Sequence, residues 1–226
     1  MDRYEASLSQ QQTAPTINRR AYNLLTYGIV TVSFIVLWGT YQFAAGGGID
    51  RLLVGMNPLI VWIVSLVGTF GGLIVMSVGR NKQNVAMTLI GYILFSLTFG
   101  FTLAITLQRY SVGTIAHAFG ITACVSGIFL VAGVTFPEFF SRIGGILIVG
   151  LIGVMIAEFV AVFFFHAHQT IFDYIVILLF CGFLGYDSYL MSSDLPTVPN
   201  AIFYAANIYI DIVNILLRVL SILDRD

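Results

Sequence analysis

Two aspartates, Asp187 and Asp211, lie 24 residues apart, each within an apolar stretch. An ionised Asp at the centre of a membrane helix costs about 2.5–3.5 kcal/mol on insertion scales, so such a residue is functional, neutral or paired. Two carboxylates that share a site of low dielectric do not both ionise easily, so the pair is expected to hold a proton near neutral pH. Such a pair can act as a proton sensor, a divalent-cation ligand or a catalytic dyad.

Asp211 belongs to a polar stripe on an otherwise apolar segment. Spacings of three and four residues place the members of this stripe on one face of a helix. Lipid cannot satisfy polar groups, so the stripe must face the interior of a bundle or a water-filled cavity. The segment is therefore predicted to be a central helix, with a purely structural hydrogen-bond network as the alternative to a functional path. The other members of the stripe are Tyr204, Asn207, Asn214 and Arg218.

Further charged and metal-ligating side chains have simpler explanations. Glu158 lies within an apolar stretch without an evident partner; a residue lining a cation path and a protonated packing residue explain it equally well. Asp173 and Arg218 lie near predicted helix ends, where interfacial placement accounts for them. His166 and His168 lie two residues apart at a helix end, where an interfacial position fits better than a metal site, which would need further ligands.

The composition requires membrane helices to position these residues. Of the 226 residues, 58% are hydrophobic and only 21 are charged, 10 basic and 11 acidic. A soluble domain carries roughly 25% charged residues. We therefore predict an all-α polytopic membrane protein, with a polar cytoplasmic tail over residues 1–20 and one seven-helix domain over residues 21–226 whose last helix is central.

Each membrane helix needs about 20 mostly apolar residues to cross a hydrocarbon core about 30 Å thick. Polar breaks such as Asn57-Pro58, RNKQN at 80–84 and FPEFFSR at 136–142 separate the segments of that length. Glycines within the segments predict close approach of helix backbones. The seven spans are predicted at about 21–45, 57–79, 85–107, 111–135, 144–165, 170–192 and 201–222.

Basic residues in the short connections favour a cytoplasmic N-terminus. The strongest bias comes from Arg19, Arg20, Arg80 and Lys82, which directly flank the first spans. A net charge of −1 and the lack of a Lys/Arg tract give no electrostatic case for nucleic-acid binding, so no nucleic acid is expected as a partner. The lipid bilayer is the evident partner, and protein partners are unknown. The small size and the lack of a targeting extension favour the plasma membrane of a prokaryote.

The C-terminal motifs resemble those of the Bax inhibitor family, the transmembrane Bax inhibitor motif proteins. That family typically has a Tyr-Asp pair in the sixth span and a Leu-Tyr-Leu-Asp-x-x-Asn run in the seventh. The matching residues here are Tyr186-Asp187 and the run from Ile208 to Asn214, and the spacing of the two aspartates is similar to that of bacterial members. Weaker likeness in spans 3 and 4 extends the resemblance over about 140 residues.

This resemblance implies a seven-helix fold and a pH-sensitive calcium leak across the membrane. In the family two aspartates are the pH sensor of the pore, a role that carries over to Asp187 and Asp211. A basic residue after the second span hydrogen-bonds to the span-7 aspartate in the closed state; Arg80 matches it best, with Lys82 as the alternative. Span 2 lacks the acidic residue of some bacterial members, whose role is absent or is transferred to Glu158.

We therefore expect a cation-conducting pore without a resident cofactor, in which Asp187 and Asp211 are transient ligands of the transported Ca²⁺. Loss of the shared proton adds a negative charge that separates the carboxyl groups by repulsion. The leak should then vary between about pH 6 and 8. Protonation would also disrupt an ion pair with Arg80, which leaves the direction of the pH effect open.

Two other classes of function stay open. A structural or partner-binding membrane protein of stress or cell-death regulation would use the polar stripe for packing and conduct no ions. An intramembrane aspartyl protease also has a Tyr-Asp in one span and an Asp in the next. Those enzymes carry Gly-x-Gly-Asp, whereas Asp211 follows Ile-Tyr-Ile and no Pro-Ala-Leu motif follows it. A non-enzymatic function is therefore expected.

Overall fold

A computed structural model describes residues 15–165 and 170–225. Within these ranges the chain forms helices and no strands. In the described part of the chain, seven helices are long and apolar enough to cross a membrane, which confirms the predicted seven-helix membrane fold. The helices are α1 (Arg19–Ala45), α2 (Gly48–Leu53), α3 (Pro58–Asn81), α4 (Val85–Leu107), α5 (Val112–Thr135), α6 (Pro137–Phe165), α7 (Thr170–Ser193) and α8 (Val198–Leu223).

Side-chain caps mark the beginnings of five of the described helices. In each case an oxygen of the residue before the helix accepts a hydrogen bond from a backbone N–H of the first turn, which has no partner within the helix. Four of the caps lie in the polar breaks between predicted spans, so these breaks do end one helix and begin the next. The capping residues are Asn18, Asn57, Asn84, Ser111 and Thr197.

The starts of two helices and the content of one connection differ from the predictions. The polar segment 136–142 is not a loop, because α6 begins at Pro137 and only Phe136 separates it from α5. Proline is well tolerated in the first turn of a helix, where its missing N–H has no partner to lose. For the same reason α8 begins at Val198, with Pro199 in its first turn, instead of at residue 201. The predicted break after α1 contains the six-residue helix α2.

The chain forms two compact units. The first unit contains α1 to α4 together with residues 194–206, and the second contains α5 to α7 together with residues from 207 onward. The last helix therefore contributes its first turns to one unit and its remaining turns to the other.

In the first unit α3 and α4 pack backbone against backbone. A Cβ atom added to Gly72 would lie 2.5 Å from the backbone nitrogen of Phe95, and one added to Gly91 would overlap the backbone of Met76. These glycines confirm the predicted close approach of helices at two positions. Helix α1 is tied to α4 by a hydrogen bond between the hydroxyls of Ser33 and Tyr92.

In the second unit α5 packs closely on α7. A Cβ atom on Gly133 would overlap the carbonyl of Gly185, and Ser188 Oγ donates a hydrogen bond to the carbonyl of Leu130 at 2.7 Å. Burial differs strongly among the helices: half of the apolar stretch of α7 and of α8 is buried, against 6% of that of α6. The last helix thus has the burial expected of a central helix, whereas α6 is mostly exposed to lipid.

Candidate functional site

The two predicted sensor residues are both buried in the second unit. Asp187 lies on α7 and is 9% exposed, and Asp211 lies on α8 and is 5% exposed. Their carboxyl groups interact electrostatically, and the Cys181 thiol on α7 lies within electrostatic range of Asp211. Oδ2 of Asp211 is buried and has no hydrogen-bond partner among the described residues. An acceptor in this position can take up a proton, a water molecule or a cation.

The polar stripe of α8 lies in a helix that is enclosed on several sides. Apolar residues next to the stripe, such as Ile208 and Val213, are fully buried. Asn214 is satisfied within the helix, because its Nδ2 donates to the carbonyl of Ile210 at 2.8 Å. Two further members of the stripe take part in separate side-chain clusters, one in each unit. These members are Tyr204 and Arg218.

The Arg80 cluster consists of Arg80, Asp194, Asn200 and Tyr204 in the first unit. Arg80 Nη2 donates to Asp194 Oδ2 at 2.7 Å and to the Tyr204 hydroxyl at 3.0 Å. Its Nε donates to Asn200 Oδ1 at 3.2 Å, and the guanidinium stacks 4.2 Å from the centre of the Phe203 ring. The Tyr204 hydroxyl in turn donates to Asp194 Oδ2 at 2.8 Å. The cluster ties the end of α3 to the α7–α8 connection and to the first turns of α8.

The predicted role of Arg80 toward Asp211 stays a prediction. The hydrogen bonds that Arg80 makes go to Asp194, Asn200 and Tyr204. Lys82, the alternative gate partner, is exposed and lies at the C-terminal cap of α3. Of the two basic residues in this connection, Arg80 is therefore the one whose side chain reaches the last helix.

The Arg218 network consists of Glu158, Asp173, Arg218, Ser221 and Arg225 in the second unit. Arg218 donates to both oxygens of Glu158, at 2.8 and 3.0 Å, and to Oδ1 of Asp173 at 2.8 Å. The other oxygen of Asp173 accepts from Arg225 at 2.8 Å and from Ser221 at 3.1 Å. Asp173 is fully buried, so its charge is compensated by guanidinium groups instead of by water.

The sequence pattern did not reveal the Arg218 network. It left Glu158 without a partner and placed Asp173 and Arg218 separately at the interface. The topology could have indicated it. With seven spans, the fifth span ends, the sixth begins and the seventh ends on the same side of the membrane. Glu158, Asp173 and Arg218 lie toward these ends of their spans and are therefore on the same side. The structure supplies the partner that the sequence left open, because both oxygens of Glu158 accept hydrogen bonds from Arg218.

The metal-ligating residues that the structure describes form no closed site. Within residues 15–165 and 170–225, no group of three or more His, Cys, Asp or Glu side chains is placed to hold a metal ion. His166 and His168 lie outside the described residues. The role of Asp187 and Asp211 as transient Ca²⁺ ligands remains a prediction.

The helices and their buried carboxyl groups define a multi-pass integral membrane protein. The family model described as "Inhibitor of apoptosis-promoting Bax1" matches residues 14–226. The chain belongs to the Bax inhibitor family, which confirms the resemblance found in its C-terminal motifs. No solved structure matches the chain.

Relatives occur in bacteria, animals and viruses. "Inner membrane protein YbhL" of Escherichia coli (strain K12) is 26% identical over 233 residues, which cover 98% of this chain and 98% of that protein. "Protein lifeguard 4" of Mus musculus is 25% identical and covers 91% of this chain and 83% of its own length. "Golgi anti-apoptotic protein" of vaccinia virus is 23% identical, with 91% and 86% covered. The similarity therefore extends along most of each protein.

Proposed function

We propose that the protein is a pH-sensitive leak pathway for Ca²⁺, gated by Asp187 and Asp211. The observation that carries this proposal is a pair of interacting buried carboxyl groups, one of which has an oxygen without a hydrogen-bond partner among the described residues. A buried acceptor that stays unsatisfied costs about 1–3 kcal/mol, so this oxygen favours the uptake of a proton or a hydrated cation. No enzymatic step is part of the proposal.

Protonation of the pair supplies the pH sensitivity. Asp187 and Asp211 are at most 9% exposed, so water screens their charges poorly. With one proton between them, the two carboxyl groups carry a single negative charge and can remain together. Without that proton, two like charges face each other in a medium of low dielectric and repel strongly. Repulsion between α7 and α8 at this point is the proposed driving force of gating.

Carboxylate oxygens are also suitable ligands for the proposed cation, Ca²⁺. Ca²⁺ prefers six to eight oxygen ligands and accepts irregular geometry, so two carboxylates can serve as one station along a hydrated path. Two ligands hold an ion weakly, which conduction requires. The two aspartates are therefore proposed as transient ligands, without a resident metal ion or other cofactor.

Arg80 is included in the proposal as the basic partner of the gate. Its guanidinium is half-buried and is bound to Asp194 and Tyr204 by hydrogen bonds of 2.7 and 3.0 Å. These bonds place a positive charge at the beginning of the helix that carries Asp211. Replacement of Arg80 by Gln is expected to shift the pH at which the leak changes, without removing the pH dependence itself.

The N-terminus is proposed to be cytoplasmic, in the plasma membrane of a prokaryote. Arg80 and Lys82 lie at one α3–α4 connection, and short cytoplasmic connections are enriched in basic residues. The name of the Escherichia coli relative places that protein in an inner membrane. Labelling of a Lys82→Cys variant in intact cells by a membrane-impermeant maleimide tests the orientation; labelling from outside would contradict it.

Ca²⁺ flux into proteoliposomes tests the function. Purified protein is reconstituted with an enclosed Ca²⁺ indicator, and the initial rate of flux is measured from pH 5.5 to 8.5. We expect the rate of the unmodified protein to change across this range. The Asp187→Asn/Asp211→Asn variant should conduct at a rate that no longer depends on pH, because neither amide titrates.

Glu138→Gln serves as the matched control, because Glu138 is an exposed carboxyl group in the first turn of α6. This variant should keep the pH profile of the unmodified protein. An unchanged profile in the double aspartate variant would exclude Asp187 and Asp211 as the sensor. Absence of flux from well-folded protein would instead favour the structural or partner-binding function, in which Tyr204 and Arg218 act only through their side-chain clusters.

A further inference from the structure

A groove that contains an ion pair opens on the surface of the second unit. Its volume is about 490 Å³, and it is lined by Met155, Glu158, Phe159, Val162 and Phe163 of α6 and by Arg218 of α8. The five α6 residues occupy positions i, i+3, i+4, i+7 and i+8, so they form one face of that helix. The groove therefore combines an apolar wall two turns long with an ion pair.

The apolar wall faces lipid. Met155, Phe159 and Phe163 are 60%, 63% and 67% exposed, and α6 is the least buried of the membrane-length helices. Arg218 lies five residues before the end of α8, which corresponds to a depth of about 8 Å. Charged side chains at such a depth reach the zone where lipid headgroups meet acyl chains. A lipid beside this groove thus meets the charges at its headgroup.

The ion pair retains unused hydrogen-bonding capacity. Arg218 uses both hydrogens of Nη1 and one of Nη2 for Glu158 and Asp173. Its Nε–H and the second hydrogen of Nη2 have no acceptor among the described residues, and together they form the planar fork that suits a phosphate. Each Glu158 oxygen accepts one hydrogen bond from Arg218 and can accept a second from another donor.

The net charge of the Arg218 network favours a zwitterionic ligand over an anionic one. Two carboxylates and two guanidinium groups cancel, so an anionic ligand would leave a net negative charge in a poorly hydrated place. We propose that this groove binds a zwitterionic phospholipid with a primary amine, of the phosphatidylethanolamine class. Its phosphate binds the free edge of Arg218, its ammonium group donates to Glu158, and an acyl chain runs past Met155, which lies deeper along α6 than the ion pair. A quaternary ammonium group has no hydrogen to donate to Glu158.

Native mass spectrometry of the delipidated full-length protein tests this binding. Dioleoyl phosphatidylethanolamine, phosphatidylcholine and phosphatidylglycerol are added separately at equal concentrations. We expect phosphatidylethanolamine to bind about tenfold more tightly than phosphatidylcholine, the effect of one hydrogen bond to a charged group. Glu158→Gln should abolish this preference, because the neutral amide attracts the ammonium group only weakly. Equal binding of all three lipids, or tightest binding of phosphatidylglycerol, would overturn the proposal.

Two tryptophan variants localise the binding to the groove. Met155→Trp fills its deep end and should weaken the binding of phosphatidylethanolamine severalfold. Ile156→Trp is the matched control, because Ile156 is equally exposed at 59% but does not line the groove. Equal effects of the two variants would contradict the assignment. Both positions face lipid, so these variants test the site without disturbing the Arg218 network.

Discussion

Arg218 donates hydrogen bonds to both carboxylate oxygens of Glu158, at 2.8 and 3.0 Å, and its Nη1 also donates to Oδ1 of Asp173 at 2.8 Å. One side chain of α8 therefore joins α6 to α7. Asp173 is fully buried and has its second oxygen bound to Arg225 and Ser221. The network leaves none of these carboxylate oxygens without a donor, in contrast to Oδ2 of Asp211 in the same unit.

Arg218→Gln should destabilise the protein by about 3 kcal/mol, because it leaves Glu158 and part of Asp173 without a positive partner. Equilibrium unfolding in mixed detergent micelles measures the loss. Glu158→Gln/Arg218→Gln should be more stable than Arg218→Gln alone, since Glu158→Gln removes the carboxylate that has lost its positive partner. Strictly additive effects in this double-mutant cycle would show that the pair is not coupled.

Tyr204→Phe should lower the free energy of unfolding by about 1–2 kcal/mol, because it removes the hydroxyl that accepts from Arg80 and donates to Asp194. Arg80→Lys should cost more, since lysine loses the bond to Asn200 and the planar stacking on Phe203. Both losses appear as lower melting temperatures in detergent. Lys82→Gln is the control and should leave the melting temperature unchanged; a comparable drop there would contradict the assignment of the cluster to Arg80.

Gly133→Ala should destabilise the second unit by about 1–3 kcal/mol, because the new methyl group would overlap the backbone carbonyl of Gly185. Backbone cannot move aside as a flexible side chain can. Gly127 lies on the same helix with nothing within 4 Å of an added Cβ, so Gly127→Ala should be neutral or slightly stabilising. Thermal unfolding of the two variants side by side distinguishes close packing from a general effect of glycine replacement.

Ser188→Ala should cost about 0.6 kcal/mol, the average of measured hydrogen bonds between membrane helices. The hydroxyl joins α7 to the Leu130 carbonyl of α5 at 2.7 Å. Ser192 donates only to the Tyr189 carbonyl of its own helix, so Ser192→Ala is the control and should cost less. The same micelle unfolding assay measures both, and a larger loss in Ser192→Ala would refute the role of Ser188 between helices.

Much of the architecture follows from the sequence. The number of spans depends on apolar segments long enough to cross the bilayer, a property that the hydropathy pattern along the sequence decides. The stripe from Tyr204 to Arg218 follows from the period of the helix, and the burial of Asp211 follows from the inability of lipid to satisfy a carboxyl group. The interaction of Asp187 with Asp211 could be anticipated because a short connection makes their helices neighbours.

The boundaries of α6 and α8 show where sequence signals are ambiguous. Proline is common in the breaks between helices, but it is also well tolerated in the first turn of a helix. Pro137 and Pro199 lie in first turns, so segments that resemble loops belong to helices. Only backbone hydrogen bonding in the folded chain distinguishes the two cases.

The tertiary structure alone decided which charged side chains meet. Arg80 and Asp194 are 114 residues apart, and Glu158 and Arg218 are 60 apart. Helical periodicity places a residue on a face of its own helix, but it contains no information about which helix packs against that face or at what depth. The sequence therefore determined the membrane fold and the positions of the charges along each helix. The packing and rotation of the helices determined that Arg80 binds Asp194 and that Glu158 has a partner in Arg218.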